Sequence, residues 1–238
     1  MKRVMGSILL AACVAGSVFA QQLSTTPAPQ TAKWWQPRFE QKQALAKQGG
    51  WELVFIGDSI THGWENGGKA VWQEHFGAYK ALNLGYSADR TEHVLWRLDN
   101  GELEGYQPKL FVIMIGTNNN GHRKPQQEST ADTVAGIQAI LGRLEKKDPQ
   151  SKVLLLAIFP RGATPQDALR VRNEAVNAEI QKLADSKRVF WLNINDKFLQ
   201  PDGTLSKEIM PDLLHPNAKG YEIWARAILP AVKQHLGK

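Results

Sequence analysis

The chain has 238 residues, of which 42% are hydrophobic and 22% charged, and its formal net charge is +6. This composition is typical of a globular protein and excludes a wholly disordered, collagen-like or multi-span membrane chain. The length fits one ordinary domain or a small α/β unit, and a chain of this size buries enough surface to fold without disulfides or a metal.

The amino terminus resembles an export signal. Lys2 and Arg3 precede an apolar stretch that ends in small residues at Ala20, which is typical of a secretory signal peptide, and its glycines and serines weigh against a membrane span. We therefore expect residues 1–20 to be removed and the protein to be periplasmic or secreted, with no integral membrane span in its mature form. Two alternatives stay open: a retained anchor helix, and a lipoprotein lipidated at Cys13.

Cys13 is the only cysteine, so a mature chain cut after Ala20 has no disulfide, no thiolate zinc site and no cysteine nucleophile. Nucleophilic chemistry then falls to serine, threonine, lysine or a carboxylate. The leader carries two of the 29 basic residues and none of the 23 acidic ones, which leaves a mature charge of 27 minus 23, or +4. This excess is modest and is mixed with acidic residues, as at 144–148, so we expect no nucleic-acid partner.

The rest of the chain reads as one domain. Residues 21–33 are polar and contain two prolines, which predicts a spacer before a single domain at 34–238. Apolar runs of strand length alternate with segments of helical period, and Asp89 with Glu92 resembles a capping box. We expect strands at 52–56, 81–84, 110–115, 153–159 and 189–194, and helices at 34–48, 89–99, 130–146, 167–184 and 217–236.

Continuous apolar runs are typical of strands buried on both faces, and strands that alternate with helices form a parallel sheet through right-handed crossovers. The sequence therefore predicts a three-layer α/β fold with helices on both faces of the sheet. In such a sheet the functional site lies at the carboxyl ends of the strands, where the connecting loops gather.

Three of these loops carry residues suited to catalysis. The first strand leads into Gly57-Asp58-Ser59, where a sharp turn would expose the serine hydroxyl. The third leads into an Asn-Gly-rich loop at 116–121, where the Asn118 amide could point an N–H at developing negative charge. The second is followed by Gly85, whose bare backbone N–H could approach a substrate closely. Each segment is also an ordinary turn sequence.

A fourth segment places Asp212 three residues before His215. In a turn this spacing lets the carboxylate accept a hydrogen bond from the imidazole and fix its tautomer, and a neutral, oriented histidine is the base that a serine nucleophile needs. Alone, the pair would be a surface pair that caps the last helix. Together with the three loops it indicates a serine hydrolase.

Four segments together resemble the motif blocks of the SGNH (GDSL-type) hydrolase superfamily, in particular the branch with the catalytic subunits of platelet-activating-factor acetylhydrolase Ib and their bacterial relatives: GDSI at 57–60, Gly85, GTNN at 116–119 and DLLHP at 212–216. The likeness extends over 82–103 and to PRG at 160–162. It implies a flavodoxin-like sheet of about five parallel strands and ester hydrolysis. We expect no cofactor and no metal, because the histidines are scattered and lack the spacing of metal ligands.

The resemblance also implies the roles of individual residues. Ser59 would be the nucleophile, His215 its base and Asp212 the orienting carboxylate. The oxyanion hole would consist of the Ser59 N–H, the Gly85 N–H and the Asn118 side-chain N–H.

The residues around the serine suggest a substrate pocket, for which we select Asp58, His62, Trp64 and Trp72. The resemblance implies a short acyl group, most simply acetyl. The expected export favours a small-molecule or carbohydrate ester as substrate, such as an O-acetylated carbohydrate. A lysophospholipase-type acylhydrolase and a non-catalytic assembly module that keeps the fold are the alternatives. The sequence leaves a homodimer open.

Overall fold

A computed structural model describes residues 23–238, so the expected signal peptide and Cys13 lie outside the described residues. The strands are β1 (Leu53–Gly57), β2 (Ala81–Gly85), β3 (Leu110–Met114), β4 (Lys152–Leu156) and β5 (Val189–Leu192). The α-helices are α1 (Trp35–Ala46), α2 (Ser59–His62), α3 (Lys69–Phe76), α4 (Thr91–Asp99), α5 (Thr117–His122), α6 (Thr130–Lys147), α7 (Ala168–Ile180) and α8 (Ala218–Leu236). Short 3-10 helices lie at Leu23–Thr25, Gly63–Glu65, Gly77–Tyr79, Gln181–Leu183 and Asn195–Phe198.

The five strands form one entirely parallel sheet in the order β2-β1-β3-β4-β5. This is the strand order of flavodoxin-like folds, and the predicted three-layer α/β class is confirmed. Gly57 of β1 pairs with Gly85 of β2 and with Met114 of β3, so these three strands end level with one another. Because the strand order reverses between β1 and β3, the loops that follow them separate and leave a crevice at the carboxyl edge.

Hydrophobic side chains fill one layer on each face of the sheet. One layer joins α1, α4, α6 and α7 through buried side chains such as Trp35, Val94 and Ile140. The other joins α3 and α8 through Phe76 and Trp224. Full burial of a large apolar side chain contributes about 1.5–3 kcal/mol, so the two layers hold the strand ends in fixed positions. Within residues 23–238, none of the helices combines the length and the apolar character that crossing a bilayer requires.

The described part of the expected spacer packs against the domain. Ser24 is fully buried, and its carbonyl accepts a hydrogen bond from Thr91 Oγ1 (2.9 Å). The N–H of Ala28 donates to the Glu92 carbonyl (3.2 Å). The expectation of a spacer at 21–33 is therefore wrong from residue 23 onward, because this segment finds hydrogen-bond partners on α4.

The start of α4 also differs from the prediction. Asp89 and Glu92 do not form a capping box; the helix begins after Arg90, whose backbone N–H donates to His93 Nδ1 (3.0 Å). The buried Asp89 carboxylate accepts a hydrogen bond from Arg97 Nε (3.0 Å) instead. A guanidinium donor gives a buried carboxylate a stronger hydrogen bond than a neutral backbone N–H does.

Candidate active site

The nucleophile loop is a tight turn from β1 into α2. Asp58 caps the helix and accepts a hydrogen bond from the Ile60 N–H (3.0 Å), and Ser59 is the first helical residue. The buried Tyr221 hydroxyl of α8 donates to the Ile60 carbonyl (2.7 Å). The cap and the tyrosine hold the turn from two sides, so the serine hydroxyl has a fixed position at the carboxyl end of β1.

Three of the predicted residues lie in one hydrogen-bond chain. Ser59 Oγ is 2.8 Å from His215 Nε2, and His215 Nδ1 is 2.6 Å from Asp212 Oδ2. The second carboxylate oxygen, Asp212 Oδ1, accepts the backbone N–H groups of Leu214 (3.1 Å) and His215 (2.7 Å). The structure thus brings together the serine, the imidazole and the carboxylate in the order that nucleophilic catalysis requires.

The aspartate–histidine turn sits at the molecular surface. The side chains of Asp212 and His215 are 57% and 41% exposed. Burial alone would raise the pKa of Asp212, but hydrogen bonds from the His215 side chain and backbone outweigh it and lower the pKa. The carboxylate is therefore ionised at neutral pH and can orient and stabilise a protonated imidazole.

A left-handed residue between the two shapes this turn. Leu213 has φ +60°, a conformation that costs a non-glycine residue of order 1–3 kcal/mol and is found where the surroundings enforce it. Here its carbonyl accepts the Gly162 N–H (3.0 Å), and its own N–H donates to the Met210 carbonyl (2.8 Å). The first bond ties the turn to the loop that follows β4, and the second closes the turn itself.

Asp58, which we expected in the substrate pocket, lies beneath the surface and is only 1% exposed. Burial raises the pKa of its carboxyl to about 7, although the Ile60 N–H and the charge of His215 act in the opposite direction. Asp58 supports the nucleophile turn from below and cannot line the pocket.

Asn118 is the second residue of α5, which begins directly after Gly116, whose φ of +127° requires glycine. Its buried side chain donates one N–H to the Asp89 carbonyl (3.0 Å), which leaves the second N–H of the amide for another acceptor. The bond holds the amide against the loop that follows β2. The predicted role of Asn118 in an oxyanion hole stays a prediction.

The geometry of Gly85 differs from the expected role. Its N–H, predicted to be an oxyanion donor, donates to Asn83 Oδ1 (2.8 Å), and its carbonyl accepts from Arg38. A Cβ at residue 85 would lie 2.2 Å from the His62 nitrogen and 2.5 Å from the Thr61 carbonyl carbon. Glycine is thus needed so that α2 can lie directly on the end of β2, and its N–H is already engaged.

Ala88, which the sequence did not indicate, has the free backbone N–H that we expected at Gly85. It is a non-glycine residue with φ +62°. Its neighbour Ser87 donates its N–H to His62 Nδ1 (3.3 Å), and its other neighbour, Asp89, holds the Asn118 amide. Among the described residues, the Ala88 N–H has no acceptor. The only sequence signal was its position in the loop, because an alanine there does not look like a glycine turn.

The two tryptophans selected for the pocket belong elsewhere. Trp64 is 1% exposed and packs against Tyr221 and Trp224, with ring centroids 4.5 and 4.8 Å away. Trp72 packs on Phe55 at 4.9 Å. Both line a cavity of about 880 Å³ beside β2, whose lining does not include the serine, histidine or aspartate of the hydrogen-bond chain. Both assignments must be corrected, because aromatic packing draws Trp64 into the core and holds the partly buried Trp72 against that core.

His62, the last residue of α2, lies beside Trp34. His62 follows Ser59 by three residues in α2, and burial, followed by the charge of Arg38, lowers its pKa to about 4. It is therefore neutral at physiological pH. The Trp34 ring lies 6.1 Å from the His62 ring and is 41% exposed, so an accessible indole lies next to this histidine.

A family model described as the GDSL-like lipase/acylhydrolase family matches residues 55–223. The chain belongs to this family. It is 40% identical over 181 residues to platelet-activating factor acetylhydrolase IB subunit alpha1 from Homo sapiens. The aligned segment covers 74% of this chain and 73% of the human protein.

Solved structures agree with the fold of this GDSL acylhydrolase. A GDSL-like lipase from Bacteroides thetaiotaomicron has a TM-score of 0.65 at 20% identity and covers 83% of this chain and 97% of that one. An acetyl xylan esterase has a TM-score of 0.64 at 21% identity and covers 76% of this chain and 99% of that one.

The PRG segment of this acylhydrolase places Arg161 beside the hydrogen-bond chain, where its charge acts on Asp58 and Asp212. Its Nη1 donates to the Thr117 carbonyl (3.2 Å) and lies 2.2 Å from where a Cβ at Gly121 would be, so the glycine makes room for the guanidinium. Within residues 23–238, the Arg161 Nε and Nη2 atoms have no hydrogen-bond acceptor, and both are accessible to solvent. These two nitrogens are thus free to donate to a ligand.

One group of side chains in the described part of the chain could hold a metal ion. Ligand atoms of Glu74, His75 and Glu222 lie within 4.8 Å of one another. They belong to α3 and α8 rather than to the loops at the strand ends, and Arg226 already donates to Glu222 (2.5 Å). We assign this group no part in the hydrolase site.

Proposed function

We propose that this acylhydrolase is a serine esterase with Ser59 as nucleophile, His215 as general base and acid, and Asp212 as the residue that orients the histidine. The single observation that carries the proposal is the continuous Ser59–His215–Asp212 hydrogen-bond chain, with distances of 2.8 and 2.6 Å, at the crevice of the sheet.

The reaction has two halves. His215 Nε2 takes the Ser59 proton as the serine oxygen bonds to the acyl carbon, and the resulting tetrahedral intermediate collapses when the protonated imidazole gives that proton to the leaving alcohol. A water molecule then gives a proton to His215 and bonds to the acyl carbon of the serine ester. Collapse of the second intermediate returns the proton to Ser59 and releases the acid.

The oxyanion donors that we propose differ from the sequence reading at one position. They are the Ser59 N–H at the start of α2, the Ala88 N–H and the free N–H of the Asn118 amide. Gly85 is replaced by Ala88 because the Gly85 N–H is bonded to Asn83 Oδ1. Loss of one oxyanion donor typically lowers kcat by about 10²–10³.

For the substrate we propose a short acyl group, acetyl, on a carbohydrate alcohol. Acetyl is the group named in both the human relative and the acetyl xylan esterase. The open histidine–aspartate turn and the exposed face of Trp34 suit a sugar, which can stack on indole, and the free donors of Arg161 suit its oxygens. A cavity of about 410 Å³ bounded by Arg161, Asp212 and Leu214 gives room beside the triad.

We also propose export, with cleavage after Ala20. The basic start and apolar run support it, and Ser24, which is buried in the domain, would then be the fourth residue of the mature chain. Amino-terminal sequencing of the protein from the culture medium or periplasm tests this; a chain that still begins at Met1, or one that carries lipid on Cys13, contradicts it. A homodimer stays a prediction.

The test of the esterase proposal is hydrolysis of p-nitrophenyl acetate by the purified protein and two serine variants. We expect Ser59→Ala to abolish turnover, and Ser206→Ala, which removes a hydroxyl that only accepts the Glu208 N–H, to retain it. Wild-type turnover in Ser59→Ala contradicts the nucleophile assignment. If the wild-type protein shows no turnover and a fluorophosphonate probe does not label it, the result supports the alternative of a non-catalytic assembly module.

The substrate proposal needs a separate panel: acetyl, butyryl and octanoyl esters of p-nitrophenol, acetylated xylose, and lysophosphatidylcholine. We expect kcat/KM to fall from acetyl to octanoyl and the acetylated sugar to be cleaved. Preference for octanoyl or for lysophosphatidylcholine supports the lysophospholipase alternative instead.

A further inference from the structure

Residues 23–30, which we call the amino-terminal strap, precede the segment matched by the family model. We propose that this strap is a positioning element that holds both loops of the oxyanion hole in place. The inference rests on the proposed esterase function and on the oxyanion donors assigned above.

The strap is built into the fold. Beyond the hydrogen bonds to α4 described above, it lies directly over a glycine of α6: a Cβ at Gly136 would be 2.8 Å from the Ser24 carbonyl oxygen and 2.4 Å from Thr91 Oγ1. A larger residue at 136 would displace the strap. This contact therefore fixes the distance between the strap and α6.

The first link runs from the strap to the loop after β2. Gln30 Nε2 donates to the Ser87 carbonyl (3.0 Å) and to Asp89 Oδ1 (2.5 Å). These two acceptors flank Ala88, so one side-chain amide joins both sides of the left-handed residue. A non-glycine residue in that conformation persists only where its surroundings enforce it, and Gln30 is one of the groups that do so.

The second link runs from the strap to the loop after β3. Ser24 Oγ donates to the buried Glu128 carboxylate, which also accepts Asn119 Nδ2 (2.8 Å). Asn119 Nδ2 lies 3.4 Å from Ser24 Oγ as well. Asn119 follows Asn118 in α5, so the strap contacts the helix that carries the proposed amide donor.

The two links have a common consequence. Oxyanion donors stabilise a transition state only when they are held in place before charge develops, and the strap is bonded to the segments of Ala88 and Asn118. Without Gln30, Asp89 keeps its bonds from Trp35 Nε1 (2.8 Å) and Arg97 Nε, so the fold is retained. We expect the Ala88 N–H to lose its fixed direction.

The test compares Gln30→Ala and Gln30→Met with Gln36→Ala in hydrolysis of p-nitrophenyl acetate. Gln30→Met keeps the length of the side chain but removes both N–H donors. Gln36, on α1, bonds only to Glu40 at the surface and serves as the matched control. Exhaustive labelling with a fluorophosphonate counts the active sites in each preparation, so that kcat is expressed per site.

We expect kcat per site to fall by about 10- to 100-fold in both Gln30 variants, with KM within about twofold of wild type and no change in Gln36→Ala. A smaller number of sites with normal kcat per site means that Gln30 serves only the fold, which overturns the inference. Unchanged kcat and site number overturn it as well. If the wild type is inactive, or Ser59→Ala is as active as wild type, the esterase proposal itself fails, and the inference fails with it.

Discussion

Replacement of Asp58 by asparagine should make the protein more stable, and increasingly so as the pH rises. The carboxyl is buried, which raises its pKa from an ordinary 3.8 to about 7. Between these values the folded protein binds a proton that the unfolded chain does not, so wild-type stability falls as the pH rises through this window. Asparagine cannot ionise, and its Oδ1 can still accept the Ile60 N–H.

The magnitude follows from the shift of roughly three pKa units. At about 1.4 kcal/mol per unit, Asp58→Asn should gain about 4 kcal/mol over wild type above pH 7 and almost nothing at pH 4. Chemical denaturation of both proteins at intervals from pH 4 to pH 9 measures the difference.

Asp202→Asn is the matched control. Hydrogen bonds from Thr204 lower the pKa of the exposed Asp202 carboxyl, so this variant should lose stability relative to wild type above pH 4 rather than gain it. A stability difference for Asp58→Asn that does not change with pH would refute the reasoning, because it would mean that the buried carboxyl stays ionised.

Three further predictions concern Asn118, Gly85 and Trp34. Asn118→Ala should lower the kcat for p-nitrophenyl acetate by about 10²–10³ with little change in KM; an effect confined to KM would make Asn118 a substrate-binding residue. Gly85→Ala should lower the free energy of unfolding by about 1–3 kcal/mol or more, because its Cβ meets α2. The control Gly142→Ala, which has open space around it in α6, should raise it by about 0.5–1 kcal/mol. Equal effects of the two variants in chemical denaturation contradict the packing role. Trp34→Ala should raise KM for acetylated xylose and leave ethyl acetate hydrolysis unchanged, and equal losses on both substrates argue against a sugar platform.

The sheet was predictable from the sequence because its strands are buried on both faces and therefore read as unbroken apolar runs. The residues of the hydrogen-bond chain were predictable because Ser59 follows such a strand and because Asp212 and His215 are close in sequence. The short helices α2, α3 and α5 were not predicted, since helices of four to eight residues show little periodicity.

The remaining errors concern burial, which a local pattern does not reveal. Asp89 looked like a helix cap and is a buried partner of Arg97. Trp64 looked like a pocket residue and packs in the core. The sequence indicated Gly85 because glycine is the usual signal of a left-handed or closely approached residue, whereas the structure uses Gly85 for helix packing and places an alanine, Ala88, at positive φ.

The central claim is that Ser59 carries the acyl group during turnover. Acid quenching of the enzyme during hydrolysis of p-nitrophenyl acetate, followed by intact-mass and peptide mass spectrometry, measures this directly. The account predicts one acetyl group per chain on the peptide that contains Ser59, and none in Ser59→Ala. An acetyl group on another residue, or turnover at the wild-type rate in a chain that never becomes acetylated, would contradict it.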